Sequence, residues 1–460
     1  LAIKDYNYSL KGKIKKAEIK FKKEFYNSLL KKKVTKLELE TSNILVKINK
    51  DNKNSFLIDG LYKINNKKFV KYNVKNNLNK SISNFTIDLD INEHINFELL
   101  NYEKPIDRTA NIIANFILKK NIINIKDFLY KEAKNEIILK NVKINNYNLE
   151  SFNNIKIKTF NKNNENNNFN IQLDNKIYIS GSSFDATNLL KKISSKKKTH
   201  FLNKINKAIE VRIDKINSKK TESLNDFFLI GKIKKGKFIK VLSKSEFSPG
   251  NYLDISLLEN NSTGYKDLEI FSDIPKFLLS DYNFFKGIEN GKLTFNTSFN
   301  NKESQSNLVI EDFRVKNAPA FAKLLALADF GGISDLLSGD GISFDRLEID
   351  LSDNNNVLNI NEIFAVGPSI SILMEGYQES SSGLISLKGT MVPAKELNKL
   401  ISKIPILGNI LIPKEAGEGL FGVSFKIKGL PGKIKTTVNP IKTLTPRFIT
   451  KALEKRKKAK

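Results

Sequence analysis

Catalysis needs nucleophiles, acid–base pairs or metal ligands at workable spacing, and this chain offers few. Its 460 residues include no Cys and only two His, His94 and His200. The lack of Cys excludes disulfide frameworks, thiol catalysis and Cys-based zinc or iron–sulfur sites. The two histidines lie far apart in sequence and show no ligand spacing. There is no Gly-rich phosphate loop followed by Lys and Ser/Thr, and no His-Glu-x-x-His pattern. Asp340-Gly-Ile-Ser-Phe-Asp345 resembles an acidic metal loop only loosely. It lacks the carboxylate spacing of a calcium loop, and turn chemistry accounts for it. Asp345-Arg346 reads as a structural ion pair at a strand start. No set of residues fills the roles of nucleophile, base and stabiliser together, so the expectation is a non-enzyme with no cofactor and no metal.

Charge is the loudest signal that remains. The chain carries 77 Lys+Arg against 49 Asp+Glu, a net of +28. A strong basic balance is the footprint of nucleic-acid binding. Yet only Arg108, Arg212, Arg314, Arg346, Arg447 and Arg456 are Arg. Readers of nucleic acid favour Arg for bidentate contacts to guanine and phosphate. Abundant Lys, Asn and Ile together point instead to an AT-rich coding bias, so nucleic acid is disfavoured as a partner. The excess is uneven. Residues 1–230 hold 45 basic and 24 acidic residues, a net of +21, whereas residues 231–460 hold 32 and 25, a net of +7.

The elements that would position any site are strands. Phe85, Ile87, Leu89 and Ile91 alternate with Thr86, Asp88 and Asp90. Leu347, Ile349 and Leu351 alternate with Glu348 and Asp350, and Phe421, Val423, Phe425 and Ile427 with Gly422, Ser424, Lys426 and Lys428. Period two puts one apolar row on one face of each strand. Asn49–Asn54, Asn161–Asn168, Glu289–Gly291 and Asp353–Asn356 read as turns between strands. Helical patterns are few: Asp185–Ile193, Ala318–Phe330, Ala394–Ile401 opened by Pro393, and the stretch from Pro446. Lys191–Thr199 and Asn217–Ser223 read as surface connections.

The expected fold is therefore mainly β: an elongated, twisted antiparallel sheet curled into a hydrophobic groove, with a few short helices near the C-terminus. The expected division is 1–225 as a repetitive β-groove region, 226–445 as a second β region with short helices, and 446–460 as a basic tail. About 30 strands at ~4.8 Å spacing would extend on the order of 140 Å. Many strands with almost no helices to cover them favour an apolar trough over a closed sandwich. Such a trough would hold acyl chains by non-directional burial, at about 0.8 kcal/mol per CH₂. Its lining would include Phe85, Ile87, Leu89, Leu293, Phe295, Val309, Phe313, Ile349, Phe421, Val423 and Phe425. The basic tail could meet anionic headgroups.

A resemblance sharpens this. Gly389-Thr-Met-Val-Pro-Ala-Lys-Glu-Leu-Asn398, Lys403-Ile-Pro-Ile-Leu-Gly408, Gly417-Glu-Gly-Leu-Phe-Gly-Val423, Val438-Asn-Pro-Ile441 and Leu444-Thr-Pro446 stand in one order. Upstream lie Asn317-Ala-Pro, Asp335-Leu-Leu-Ser-Gly-Asp-Gly-Ile342, Phe344-Asp-Arg-Leu347 and Ala365-Val-Gly-Pro368. From about residue 225 to about 450 this pattern resembles the C-terminal region of the AsmA-like family, the group of YhdP- and TamB-like envelope proteins. The chain departs from it at Lys395, where an aromatic is common, at Gly432 for proline and at Arg447 for glycine. The resemblance implies a periplasmic protein of Gram-negative bacteria, anchored to the inner membrane by a helix upstream of Leu1. It implies bridge-like phospholipid transport between the inner and outer membranes, supporting outer-membrane biogenesis. The partners implied are phospholipid acyl chains, the inner membrane, and the outer membrane at the C-terminal end. The alternative is a structural or assembly factor for outer-membrane proteins, using exposed strand edges.

Overall fold

The computed structural model describes residues 6–27, 29–30, 32–51, 53–65, 68–189, 202–218, 222–280, 282, 285, 287–316, 339–354, 356–393 and 422–441. The expected helices 318–330 and 394–401, the segment from Pro446 with its basic tail, the connection 191–199 and the lining residue Phe421 lie outside these. The chain divides into two compact units, Leu1–Ser245 and Glu246–Lys460.

Unit 1 contains β1 (Asn7–Asn27), β2 (Lys32–Asn49), β3 (Lys53–Ile64), β4 (Val70–Asn79), β5 (Ile82–Ile91), β6 (Ile95–Phe97), β7 (Tyr102–Lys104) and β8 (Ala110–Lys119). It continues with β9 (Ile122–Glu132), β10 (Asn135–Asn145), β11 (Asn148–Ser151), β12 (Asn154–Asn161), β13 (Asn164–Leu173), β14 (Lys176–Asp185), β15 (Lys207–Asn217) and β16 (Leu224–Lys234). The division falls within β17 (Lys237–Ser248). Unit 2 contains β18 (Asn251–Glu259), β19 (Lys266–Ser272), the helix α1 (Pro275–Leu279), β20 (Ile288–Phe299), β21 (Glu303–Val315) and β22 (Ile342–Asn354). It ends with β23 (Val357–Val366), β24 (Ile370–Glu379), β25 (Ile385–Pro393), β26 (Gly422–Gly429) and β27 (Lys435–Ile441).

The protein is mainly β, with twisted, mixed sheet and almost no helix among the described residues. Turn chemistry explains the tight connections. Asn146–Tyr147, Lys162–Asn163 and Lys235–Gly236 are two-residue loops in which both residues have positive φ. That geometry matches the twist of the flanking strands and suits Asn and Gly. The run Asn161–Asn168 is thus a turn only at residues 162–163; from Asn164 the chain is already strand. Glu289–Gly291 is no turn either. It lies within β20, where Asn290 at φ 58° and Gly291 at φ 89° are left-handed while pairing with β21 stays in register. Asp185 ends β14, and its Oδ1 accepts the Thr187 N–H at 3.0 Å in a cap-like bond; beyond Leu189 the expected helix Asp185–Ile193 lies outside the described residues.

In unit 1 neighbours in sequence pair from β1 to β5, and β5 then pairs with β8, bypassing the β6–β7 hairpin. Pairing continues through β9, β10, β12, β13, β14, β15 and β16. The expectation of an antiparallel sheet needs one correction: β14 and β15 are parallel. Residues 186–206 separate them, ample for the crossover that parallel neighbours require. Unit 2 from β18 to β27 is a purely antiparallel meander. Its helix α1 has Pro275 in the first turn, the position where the missing N–H costs nothing.

Candidate functional site

Residues directly opposite in paired strands share a face. Applied strand by strand, that rule traces one apolar row across unit 1. It runs Ile44, Ile58, Val74, Ile87, Ala114, Phe128 over β2, β3, β4, β5, β8 and β9. It continues Leu139, Ile155, Ile171, Ile179, Val211, Leu229 over β10, β12, β13, β14, β15 and β16. Twelve strands contribute one residue each, and none is polar. At about 4.8 Å per strand the stripe is on the order of 50 Å long. All but Ala114 are only half-buried.

The two flanks of the stripe are better covered. On one side, Tyr130, Ile137, Ile157, Phe169 and Ile213 pack with Ile95 and Tyr102 of the β6–β7 hairpin, and Phe97 and Leu100 lie against them. On the other, Val142, Leu149, Phe152, Ile177, Ile205 and Ile209 form a second cluster. Leu139, Ile155, Ile171, Ile179 and Val211 of the stripe touch both. The arrangement is a half-open apolar strip between two dry margins.

The hairpin is pinned by polar groups that its burial makes valuable. Tyr102 Oη donates to Glu132 Oε2 at 2.9 Å and lies 3.0 Å from Tyr130 Oη. Asn135 Nδ2 and Arg108 donate to the same carboxylate at 2.5 and 3.4 Å. Burial pushes both phenols well above the ordinary tyrosine range, so they stay neutral donors. Lys104 is fully buried, and its Nζ donates to the carbonyls of Glu93 and Pro105, each at 2.8 Å. Desolvation holds its pKa below the usual lysine value. From β13, Asn167 Nδ2 donates to Leu100 O at 2.7 Å, and Asn166 Nδ2 reaches the carbonyls of Leu100 and Asn101 at 3.3 Å. Sequence reasoning missed these two asparagines, because an Asn-rich run reads as loop. The signal was their place in a strand-length spacing between Phe160 and Phe169.

The opposite face of unit 1 is the polar one. Lys140–Asp127 at 2.6 Å, Lys156–Glu136 at 3.7 Å and Arg212–Glu210 at 2.8 Å are cross-strand or same-strand pairs on it. Exposed pairs of this kind contribute about 0–1 kcal/mol each and mainly keep the face wet.

The expected lining residues divide three ways. Phe85, Ile87 and Leu89 occupy three adjacent rows of the unit 1 apolar face, with Ile87 in the central stripe. Leu293, Phe295, Phe313, Ile349, Val423 and Phe425 share the apolar face of unit 2. There all but Phe295 are buried, in a cluster to which α1 adds Leu279. Val309 is placed otherwise. It lies opposite Thr294 and Glu348, on the face away from Leu308 and Ile310. Between Val309 and Phe313, Asp312 adopts a left-handed φ of 52°, with no register shift against β20 or β22, and Phe313 comes back to the buried face.

No group of three or more potential ligands fit for a metal occurs among the described residues. His94 Nε2 lies 3.7 Å from Glu103, and His200 is outside the described residues. Among the described residues no helix is long and apolar enough to cross a membrane. No protein-family model, curated protein or solved structure matches this chain.

Proposed function

We propose that the apolar stripe of unit 1 is the floor of a groove that holds lipid acyl chains and lets them pass from strand to strand. One observation carries this reading: twelve successive strands present an aliphatic or aromatic residue in register, and eleven of those residues remain half-exposed. Burial of chain methylenes is non-directional and gains about 0.8 kcal/mol per CH₂. Equivalent sites repeated along a row offer no single deep trap, so a chain can shift without a large barrier. The polar reverse face keeps the sheet solvated. The AsmA-like sequence pattern supports membership of that family and names the cargo and the place. The cargo is phospholipid, moving in the periplasm between the inner and outer membranes to support outer-membrane biogenesis. An N-terminal helix would hold the protein to the inner membrane.

Mass spectrometry of lipid extracted from the purified protein should find phospholipid. Ile171→Asp and Ile87→Asp place a carboxylate on the stripe and should abolish transfer of a fluorescent phospholipid between vesicles, with far-ultraviolet circular dichroism unchanged. Normal transfer by folded Ile171→Asp protein would sink the reading.

A further inference from the structure

Strand pairing gathers part of the excess positive charge at one edge of unit 1. One set of strand ends in unit 1 comprises residues 50–53, 80–81, 119–121, 143–153, 174–176, 202–207 and 234–237. Successive segments abut along much of this rim. Asn146 N donates to Asn121 O at 3.1 Å, Lys204 Nζ pairs with Glu150 at 2.8 Å, and Lys207 Nζ donates to Asp174 O at 3.0 Å. Lys235 N donates to Asn206 Oδ1 at 2.8 Å and Gly236 N to Ile205 O at 3.1 Å. The seven segments hold 12 Lys against three acids, Asp51, Glu150 and Asp174. Glu150 is already taken by Lys143 and Lys204. Lys80, Lys120 and Lys235 stand in the turns of this rim, exposed and without an ion pair among the described residues, whereas Lys119 and Lys234 alternate onto the polar face.

The other margin of the stripe is different. The hairpin segment 92–109 carries Glu93, Glu98, Glu103 and Asp107 against Lys104 and Arg108. Lys104 is buried on backbone carbonyls and Arg108 is held by Glu132. Across the apolar strip the cation-rich edge is therefore matched by a hairpin of net negative charge. Between that edge and the central stripe stands Asn76, between Phe56 and Phe85 on the neighbouring strands. It is 5% exposed, and its Nδ2 finds no acceptor among the described residues. A buried donor without a partner in an apolar row is costly, and it asks for an acceptor from elsewhere.

We propose that this lysine-rich rim is a headgroup rail. It takes the phosphate of an anionic glycerolipid whose chains lie on the stripe, while Asn76 donates to an oxygen at the junction of headgroup and chains. This rests on the acyl-chain reading above and adds ligand polarity and orientation to it. The order from edge to centre, cation, lone donor, aliphatic row, is the order phosphate, ester oxygen, hydrocarbon in such a lipid. Several lysines along one edge would bind the charge at many positions without fixing it at one.

The test loads the full chain from vesicles containing dioleoylphosphatidylglycerol or dioleoylglycerol, which share acyl chains and differ in the phosphate. The wild type should favour phosphatidylglycerol by roughly tenfold at low salt, and the preference should shrink at about 0.5 M salt. The variant Lys80→Glu/Lys120→Glu/Lys235→Glu should lose the preference and still load dioleoylglycerol. A Gln version of the same three sites guards against misfolding, and should show a smaller loss of preference. Asn76→Leu should weaken loading of both lipids, since both carry ester oxygens. Equal loading of the two lipids by the wild type, or an undiminished preference in both rail variants, overturns the rail and leaves the groove standing. Failure of the wild type to load either lipid overturns the groove reading itself. Duplex DNA competing fully with phosphatidylglycerol, while dioleoylglycerol stays bound, would make the rim a general polyanion surface and overturn the rail as a lipid device.

Discussion

Units 1 and 2 share a strand grammar, yet their apolar faces differ in depth. In unit 2 one row runs Leu253, Ser272, Leu293, Ile310, Leu347, Ala365, Ile372, Met391 and Val423, and every member is buried. The equivalent central row of unit 1 is half-open along almost its full length. Alternation decides which residues share a face, but cover decides whether that face is core or surface. An apolar row that is fully covered stabilises the fold. One that is half-covered leaves free energy for a guest to gain.

Substitutions at matched positions can break that comparison. Ile310 and Met391 have no exposed surface, so Ile310→Asp or Met391→Asp leaves a carboxylate stranded and should cost more than about 4 kcal/mol. Chemical denaturation should show unit 2 unfolded or nearly so. Ile171→Asp in unit 1 should cost only about 1–2 kcal/mol, because its carboxylate can reach water. Equal losses at Ile171 and Ile310 would erase the distinction between the two faces. Phe425, 2% exposed, belongs with Ile310. Its replacement by Asp would test stability, not the lining role that alternation suggests.

The margin of the stripe comes next in size. Glu132 is 2% exposed and accepts from Tyr102, Asn135 and Arg108. Glu132→Leu should strand those donors and cost about 2–3 kcal/mol. Hydrogen exchange should quicken in residues 92–109 before it does elsewhere in unit 1. Unchanged protection of the hairpin would mean that its apolar contacts alone hold it.

Much of this was legible in residue types. Phe85, Ile87 and Leu89 announce one face by strict alternation, and so do Leu293 with Phe295. Val309 and Phe313 show where alternation fails. Counting in twos puts them together, but Asp312 between them adopts a left-handed φ that breaks the alternation, so they face opposite ways. No local pattern announces a left-handed backbone at an ordinary Asp. The parallel pairing of β14 with β15 was equally silent, since it depends on where a long crossover returns. Asn166 and Asn167 were hidden by composition, because their acceptors lie more than sixty residues earlier in the chain. The charge split was visible at once, but only pairing could show that part of it gathers at one edge.

Gly389 sharpens the account of the deeper face. It lies opposite Phe425, and a Cβ there would fall 2.4 Å from the ring and 2.7 Å from Leu373 O. The absent side chain is what lets the ring lie flat over the strand, a pairing of aromatic with glycine that sheets use to fill the gap. Gly389→Val should displace Phe425 and cost about 1–3 kcal/mol, read as a lower denaturation midpoint. An unshifted midpoint would show that the ring has room to move aside, and that unit 2 is packed less tightly than its burial suggests.

The smallest expected effect concerns the half-open face, at its cationic edge. Lys204, then Lys143 and Asn145, donate to Glu150 at 2.8, 2.9 and 2.7 Å and hold its carboxyl down at about 2. Its pKa is lowered on folding, so its contribution is complete above the unfolded value of 4.5 and fades as pH falls through about 2. The gap in melting temperature between wild type and Glu150→Gln should therefore be constant from neutral pH to about 5, then close between about 4.5 and 2. The group is only half-buried, so the gap should also shrink in salt. A gap that persists below pH 2 would mean that Glu150 acts through packing of β11 against β10. The edge would then be held by shape, leaving all its lysine charge available to a ligand.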